Sequence, residues 1–151
     1  STKDLKTVPI ICYETVYGEF VSSYTKKGGD FITIISNDAW WGNTAGHKQL
    51  LSYARLRAIE NRRYIVRSAN SGISSIIDHK GKILSTLEYG KYGILAGTAE
   101  KVSGKTFYNN YGDFIARVSI FISISMILIL FVTSNKNFNY TTPLDSPMRY
   151  D

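Results

Sequence analysis

From Val118 to Val132 the chain reads VSIFISISMILILFV, with no charge and no helix breaker. Adding Phe114, Ile115 and Ala116 extends the run to about twenty residues, the length that crosses a bilayer, and takes in Arg117. A helix that is apolar on every face needs either a surrounding core or lipid. A chain of 151 residues has no core large enough to encircle it, so a transmembrane helix over 114–134 is the expectation. Arg117 can snorkel at one end of the run and Lys136 closes the other. Phe107, Tyr108 and Tyr111 before it, with Phe138 and Tyr140 after it, suit an interfacial belt. Ser119, Ser123 and Ser125 are tolerable there because helix hydroxyls bond back to the backbone. Residues 135–151 lack periodicity and read as a polar, disordered tail.

The first 113 residues have a different pattern. Short β-branched runs at Val8–Ile11, Phe31–Ile35 and Tyr64–Arg67 read as strands. Ile73–Ile77 and Lys82–Leu87 form a hairpin around Asp78-His79-Lys80-Gly81, and Ile94–Thr98 is a further candidate strand. Helical spacing begins at Val16 and stops at Gly28-Gly29, and a second helix runs from His47 to about Arg62. This is an α/β chain. Its single cysteine excludes an internal disulfide, and its net charge of +6 fits an anionic partner such as phospholipid head groups. Nucleic acid is disfavoured, because the aromatic residues cluster beside the apolar run and do not interleave with the arginines. The polar opening Ser1–Lys6, with no first element, suggests the C-terminal part of something longer.

Cys12 closes the first strand, in Val8-Pro9-Ile10-Ile11-Cys12-Tyr13-Glu14. A thiol at a strand-to-helix corner is either a buried structural cysteine or a nucleophile favoured as thiolate by the helix N-terminus. Two more strands end in small polar residues, at Ser36-Asn37-Asp38 and Ser68-Ala69-Asn70. Ligand sites in open α/β sheets lie beyond the strand C-termini, so these three ends are candidates for one pocket. Glu14 could instead be a helix N-terminal acid, and Trp40-Trp41 could be core packing. Arg55, Arg57, Arg62, Arg63 and Arg67 read as a solvated face paired with Glu60 in preference to a phosphate strip. Two histidines and one cysteine without ligand spacing support no metal site, and no glycine-rich phosphate loop occurs, so no cofactor is expected.

At Cys12-Tyr13-Glu14 and Asn37-Asp38-Ala39-Trp40-Trp41-Gly42 the chain resembles the apolipoprotein N-acyltransferases, membrane enzymes of the nitrilase (carbon-nitrogen hydrolase) superfamily. The resemblance continues through Ala54–Arg63, Arg67–Ile73 and Phe107–Asp113, and covers roughly residues 8–134 in order. It implies the C-terminal part of a nitrilase-like αββα sandwich over 1–113, followed by one membrane helix. It also implies a reaction: an acyl chain passes from a phospholipid, usually phosphatidylethanolamine, to the N-terminal amine of a diacylglyceryl-modified apolipoprotein. By resemblance Cys12 is the nucleophile that carries the acyl group as a thioester, and Glu14 is a second acid near it. Tyr13, Trp40, Trp41 and Asn37 would flank the substrate. The location implied is the bacterial inner membrane, with the catalytic domain on the periplasmic side and further spans in the full protein.

The superfamily's triad is Glu, Lys and Cys in that order, yet only Lys3, Asp4 and Lys6 precede Cys12 as charged residues. None matches, so the chain alone is expected to be inactive. Relatives commonly carry Gln-His where this chain has Gln49-Leu50, and His47, one turn earlier, is expected to be solvent-exposed. Two rivals remain open: a membrane-tethered amidase or nitrilase-type hydrolase, and a non-catalytic membrane-anchored binding module.

Overall fold

A computed structural model describes residues 5–139. The chain divides into two compact units at Gly112/Asp113. The first is a five-stranded mixed sheet with helices packed on it. Strands β1 (Thr7–Ile11), β2 (Phe31–Asn37), β3 (Ile65–Asn70), β4 (Ser74–Ile77) and β5 (Ile83–Leu87) lie in sequence order across the sheet. The first three run parallel, joined by helices α1 (Gly18–Lys26) and α2 (Ala45–Asn61), and the last two turn back antiparallel.

The alternation of the strands explains the layer. Val8 and Ile10 of β1, Ile32 and Ile34 of β2, and Ile65 of β3 point to one face. There they bury with Val21 of α1 and Leu51, Ala54 and Ala58 of α2. Each buried Val, Leu or Ile side chain among them contributes about 1.5–3 kcal/mol. The other face carries Thr7, Pro9, Ile11, Ile35 and Ser68, which are exposed. One helix layer on one sheet is the α–β half of the sandwich expected from the sequence. Pro9 fits because β1 is an edge strand, where a missing N–H breaks no ladder.

The hairpin forms at 78–81 as read. Asp78 takes the amides of Lys80 and Lys82, both at 2.8 Å, and Gly81 supplies the φ of 80° that the turn needs. Burial works against the ionised Asp78, but those amides outweigh it and hold its carboxyl below the ordinary range. Ile94–Thr98 is not a strand. Residues 88–105 carry no regular element, and Gly97 instead lies against Ile76, where a Cβ would stand 2.5 Å from the Ile76 Cδ1 atom.

Short helix α3 (Phe107–Tyr111) is fastened to α1 and α2 by one buried side chain. Asn109 Nδ2 donates to Ser22 Oγ at 2.8 Å and to Asn61 Oδ1 at 2.9 Å. Phe107 and Tyr111, placed in the interfacial belt above, are exposed and stack on each other at 4.6 Å.

The second unit is helix α4 (Phe114–Asn139). Phe114–Asn135 has a mean hydropathy of 2.5 and none of its most apolar window is buried, so by length and composition it can cross a membrane. Its hydroxyls do bond back: Ser123 to the Ser119 carbonyl and Ser125 to that of Phe121, each at 2.8 Å. Tyr140 and the rest of the expected tail, 140–151, lie outside the described residues, as does Ser1–Asp4; so does the side chain of Phe138.

Candidate functional site

Register brings the three polar strand ends together. Ile11 of β1 pairs Ile35 of β2, which sets Cys12 beside Ser36, and Asn37 pairs Asn70 of β3. Ser36 Oγ lies 3.6 Å from Cys12 Sγ. The Asp38 amide donates to the Asn70 carbonyl at 3.1 Å, and Asn70 Nδ2 donates to Asn37 Oδ1 at 3.3 Å.

Cys12 has a φ of 49°, in the left-handed region that a non-glycine residue adopts at a cost of about 1–2 kcal/mol. Three described non-glycine residues have positive φ, and two of them, Cys12 and Ser71, stand at these strand ends. The backbone turns sharply at the thiol and leaves it partly exposed. A 3-10 turn, Cys12–Val16, follows and separates the thiol from α1. The strand-to-helix corner is thus built with a 3-10 turn that begins at Cys12 itself, and the dipole of α1 begins only at Gly18. Hydrogen bonds hold the turn: Thr15 Oγ1 donates to the Cys12 carbonyl at 2.9 Å, and the Ile11 amide donates to Glu14 Oε2 at 2.8 Å. Glu14 thus caps the turn that presents Cys12.

Tyr13 is exposed and meets Tyr17 edge to face at 6.0 Å. Trp40 is 86% exposed, so core packing fails for it. Trp41 is half covered and lies on Gly46 at the start of α2, where a Cβ would come within 2.6 Å of its ring. Asn37 Oδ1 accepts from the Ala39 amide at 3.2 Å as well as from Asn70. A cleft of about 200 Å³ opens at the end of β3, bordered by Asn70, Ser71, Lys91 and Tyr92.

Charged side chains are buried here, against the expectation of a solvated face. Asp38 is fully buried, accepts from Ser36 Oγ at 2.5 Å, and pairs with Arg67 Nη2 at 2.7 Å. Arg67 Nη1 donates to the Ile73 carbonyl. Gly72 closes over this pair, since a Cβ there would stand 2.1 Å from Asp38 Oδ2. The arginines are therefore not one solvated face. Arg57 does pair with Glu60, at 3.0 Å, but is buried, and so are Arg63 and Arg67. Arg67 alternates inward on β3, and Arg63 donates to loop carbonyls of Gly29 and Gly104. The signal was available: an arginine at an inward position of a strand demands a partner, and Asp38 was the acid at a neighbouring strand end.

His47 is buried, not solvent-exposed as expected. It is 1% exposed, with Nδ1 3.2 Å from the Gly42 carbonyl and its ring 4.7 Å from that of Tyr89. Thr44 caps α2 by accepting from the Gly46 amide, and this start turns residue 47 onto the inner face with Leu50 and Leu51. Among the described residues no cluster of His, Cys, Asp and Glu could hold a metal ion.

Residues 1–104 match the family described as carbon-nitrogen hydrolase. The chain belongs to that family. Among curated proteins it is similar to apolipoprotein N-acyltransferase 2 of Leptospira interrogans, at 39% identity over 122 residues, covering 78% of this chain and 20% of that one. It is 37% identical over 107 residues to the apolipoprotein N-acyltransferase of Geobacter metallireducens, covering 71% and 20%. The chain thus spans about a fifth of the length of these relatives. Among solved structures, Nit3 of Saccharomyces cerevisiae, a nitrilase-superfamily member, aligns at a TM-score of 0.47 and 21% identity, covering 57% of this chain and 34% of that one.

Proposed function

We propose that this chain is the thiol-bearing, C-terminal part of an apolipoprotein N-acyltransferase. The observation that carries the reading is Cys12, held at a strained strand end, partly exposed, with two other strand ends beside it. The chain's similarity to proteins of that name supports it.

In this reading a base takes the Cys12 proton and the thiolate attacks the ester carbonyl of a phospholipid, phosphatidylethanolamine first among them. The lysophospholipid alcohol leaves with a proton, and the acyl group stays on sulfur as a thioester. The free amine of a diacylglyceryl-modified apolipoprotein then attacks, the thiolate departs, and the amine's proton returns to the base. Splitting the transfer in this way replaces one difficult step with two easier ones. The base and the cation for the oxyanion have no match among residues 1–11, so the reading assigns both to sequence outside these 151 residues. The 151-residue chain alone is then inactive. Glu14 serves as the second acid through its hold on the turn, while Tyr13, Trp40, Trp41 and Asn37 border the substrate. Residues 1–113 are the catalytic part and 114–134 the span that keeps the site at the bilayer. The reading locates the catalytic part on the periplasmic side of a bacterial inner membrane.

The test is the intact mass of the native protein from source membranes, before and after neutral hydroxylamine. Loss of one acyl mass, absent in Cys12→Ser, is the expected result. A protein with no labile acyl group in phospholipid-rich membranes overturns it.

A further inference from the structure

The contact between Ser36 and Cys12 can be made in only one direction. Ser36 Oγ lies 3.6 Å from Cys12 Sγ and 2.5 Å from Asp38 Oδ1. A hydroxyl has one proton, and here two atoms could take it. An ionised carboxylate can only accept, and charge-assisted O–H···O bonds of this length are about twice as strong as neutral ones. Sulfur is a weak acceptor. The Ser36 proton therefore belongs to Asp38, and Ser36 turns a lone pair towards the sulfur.

We propose that Ser36 is a positioning residue for the Cys12 nucleophile, accepting the thiol hydrogen and fixing the rotamer in which the sulfur waits. The proposal rests on the reading of Cys12 given above. Asp38 cannot swing away to release Ser36. Its second oxygen is held by Arg67 at 2.7 Å, both side chains are at most 1% exposed, and Gly72 leaves no room for a side chain beside the carboxylate. A rigid line thus runs from the Ile73 carbonyl through Arg67, Asp38 and Ser36 to the sulfur. A hydrogen bond made by the neutral thiol favours the neutral form. Ser36 thereby orients the thiol for the base that draws its hydrogen away. With its own proton on Asp38, it does not then compete with the substrate for the thiolate.

Alkylation of Cys12 by iodoacetamide, on the full chain in detergent at one neutral pH, reads this contact without lipid or a catalytic base. Ser36→Ala should alkylate faster by about two- to fivefold, the equivalent of a weak hydrogen bond of about 0.5–1 kcal/mol. Ser36→Thr, which keeps the hydroxyl, should return to the parental rate. Ser36→Val has the shape of threonine without the hydroxyl, and should follow alanine. The Thr/Val pair decides the matter even where alanine impairs folding. Equal rates for Thr and Val, or slower alkylation in Ala, overturn the proposal. Hydroxylamine-labile acylation is scored separately, on the native protein from source membranes, where the acyltransferase reading expects it. Its absence with the expected alkylation order overturns the acyltransferase reading alone, and its presence with equal Thr and Val rates overturns Ser36 alone.

Discussion

The two ends of the parallel strands are built in opposite ways. At the N-terminal end, polar groups near the strand starts are matched. The Asp30 amide donates to the Lys6 carbonyl at 2.7 Å, and its carboxylate takes the Lys6 amide and Lys101 Nζ, each at 2.9 Å. Arg63 donates to Gly29 and Gly104 carbonyls. The one described non-glycine residue there with left-handed backbone, Arg62, ends α2, and its amide returns to the Ala58 and Ile59 carbonyls. At the C-terminal end, left-handed Cys12 terminates no α-helix, Trp40 is exposed, and an ion pair is buried beneath a partly exposed thiol. One end holds the sheet together; the other holds it in a costly conformation that leaves the Cys12 thiol partly exposed. Strain that persists at a strand end needs a surrounding structure that over-determines it; the Thr15 and Glu14 bonds fix the turn, and the Asp38–Arg67 pair fixes Ser36 beside the sulfur.

The largest test of the comparison is Arg67→Ala. It leaves Asp38 buried and uncompensated, which costs about 3–5 kcal/mol. The thermal midpoint of the α/β unit, followed by circular dichroism in detergent, should fall by more than ten degrees, and Cys12 alkylation should change with it. A loss below 1 kcal/mol would mean that the pair does not brace the site. Arg63→Ala acts at the opposite end. It strands two loop carbonyls for about 1–3 kcal/mol, and should leave the alkylation rate of Cys12 in the folded protein within twofold of the parent. An altered thiol in this variant would show that the two ends are not independent.

The contrast was partly legible in the sequence. Strand C-termini carrying Cys12, Asn37 and Asn70 were readable as one locus, because parallel strands with helical crossovers align their ends. The apolar run was readable for a similar reason: no soluble packing hides 15 uncharged residues in a row in so short a chain. What escaped was set by register. Asp38 and Arg67 are 29 positions apart and meet only because β2 and β3 pair as they do. His47 escaped because one cap, Thr44, sets the phase of α2 and hence which residues turn inward. Ile94–Thr98 looked like a strand by composition, but its glycine-bounded backbone crosses the β4 side of the sheet without joining it. Local propensity says nothing about which edge remains free.

A smaller effect separates the ends by pH. The Lys6 amide, and then Lys101, hold the Asp30 carboxyl below its ordinary value of 3.8. A carboxyl lowered in the folded state contributes stability that is present above the unfolded value and lost as pH falls through the folded one. Between pH 6 and 4.5 that contribution is present in full, so the urea midpoint should show no pH dependence from Asp30. Below pH 3.8 they should fall, and in Asp30→Asn that part of the acid loss should vanish, leaving the share of Asp78. An unchanged acid slope in the variant would remove Asp30 from the N-terminal clamp.

The smallest effect bears most directly on the C-terminal end. If Cys12 is held left-handed against its preference, replacing it with glycine relieves a penalty that replacement with alanine keeps. Glycine also loses more entropy on folding, about 0.5–1 kcal/mol against alanine, so the relief of about 1–2 kcal/mol is partly offset. Both variants lose the thiol and its contact with Ser36, which cancels from their difference. Cys12→Gly should accordingly be more stable than Cys12→Ala by about 0.5–1 kcal/mol, read as a difference in urea midpoints. A glycine variant no more stable than the alanine one would mean that the turn costs nothing to hold, and the strand ends would then differ in exposure but not in strain. A clear gain would place the thiol where a stabler sequence was possible, which is the physical mark of a residue kept for what its sulfur does.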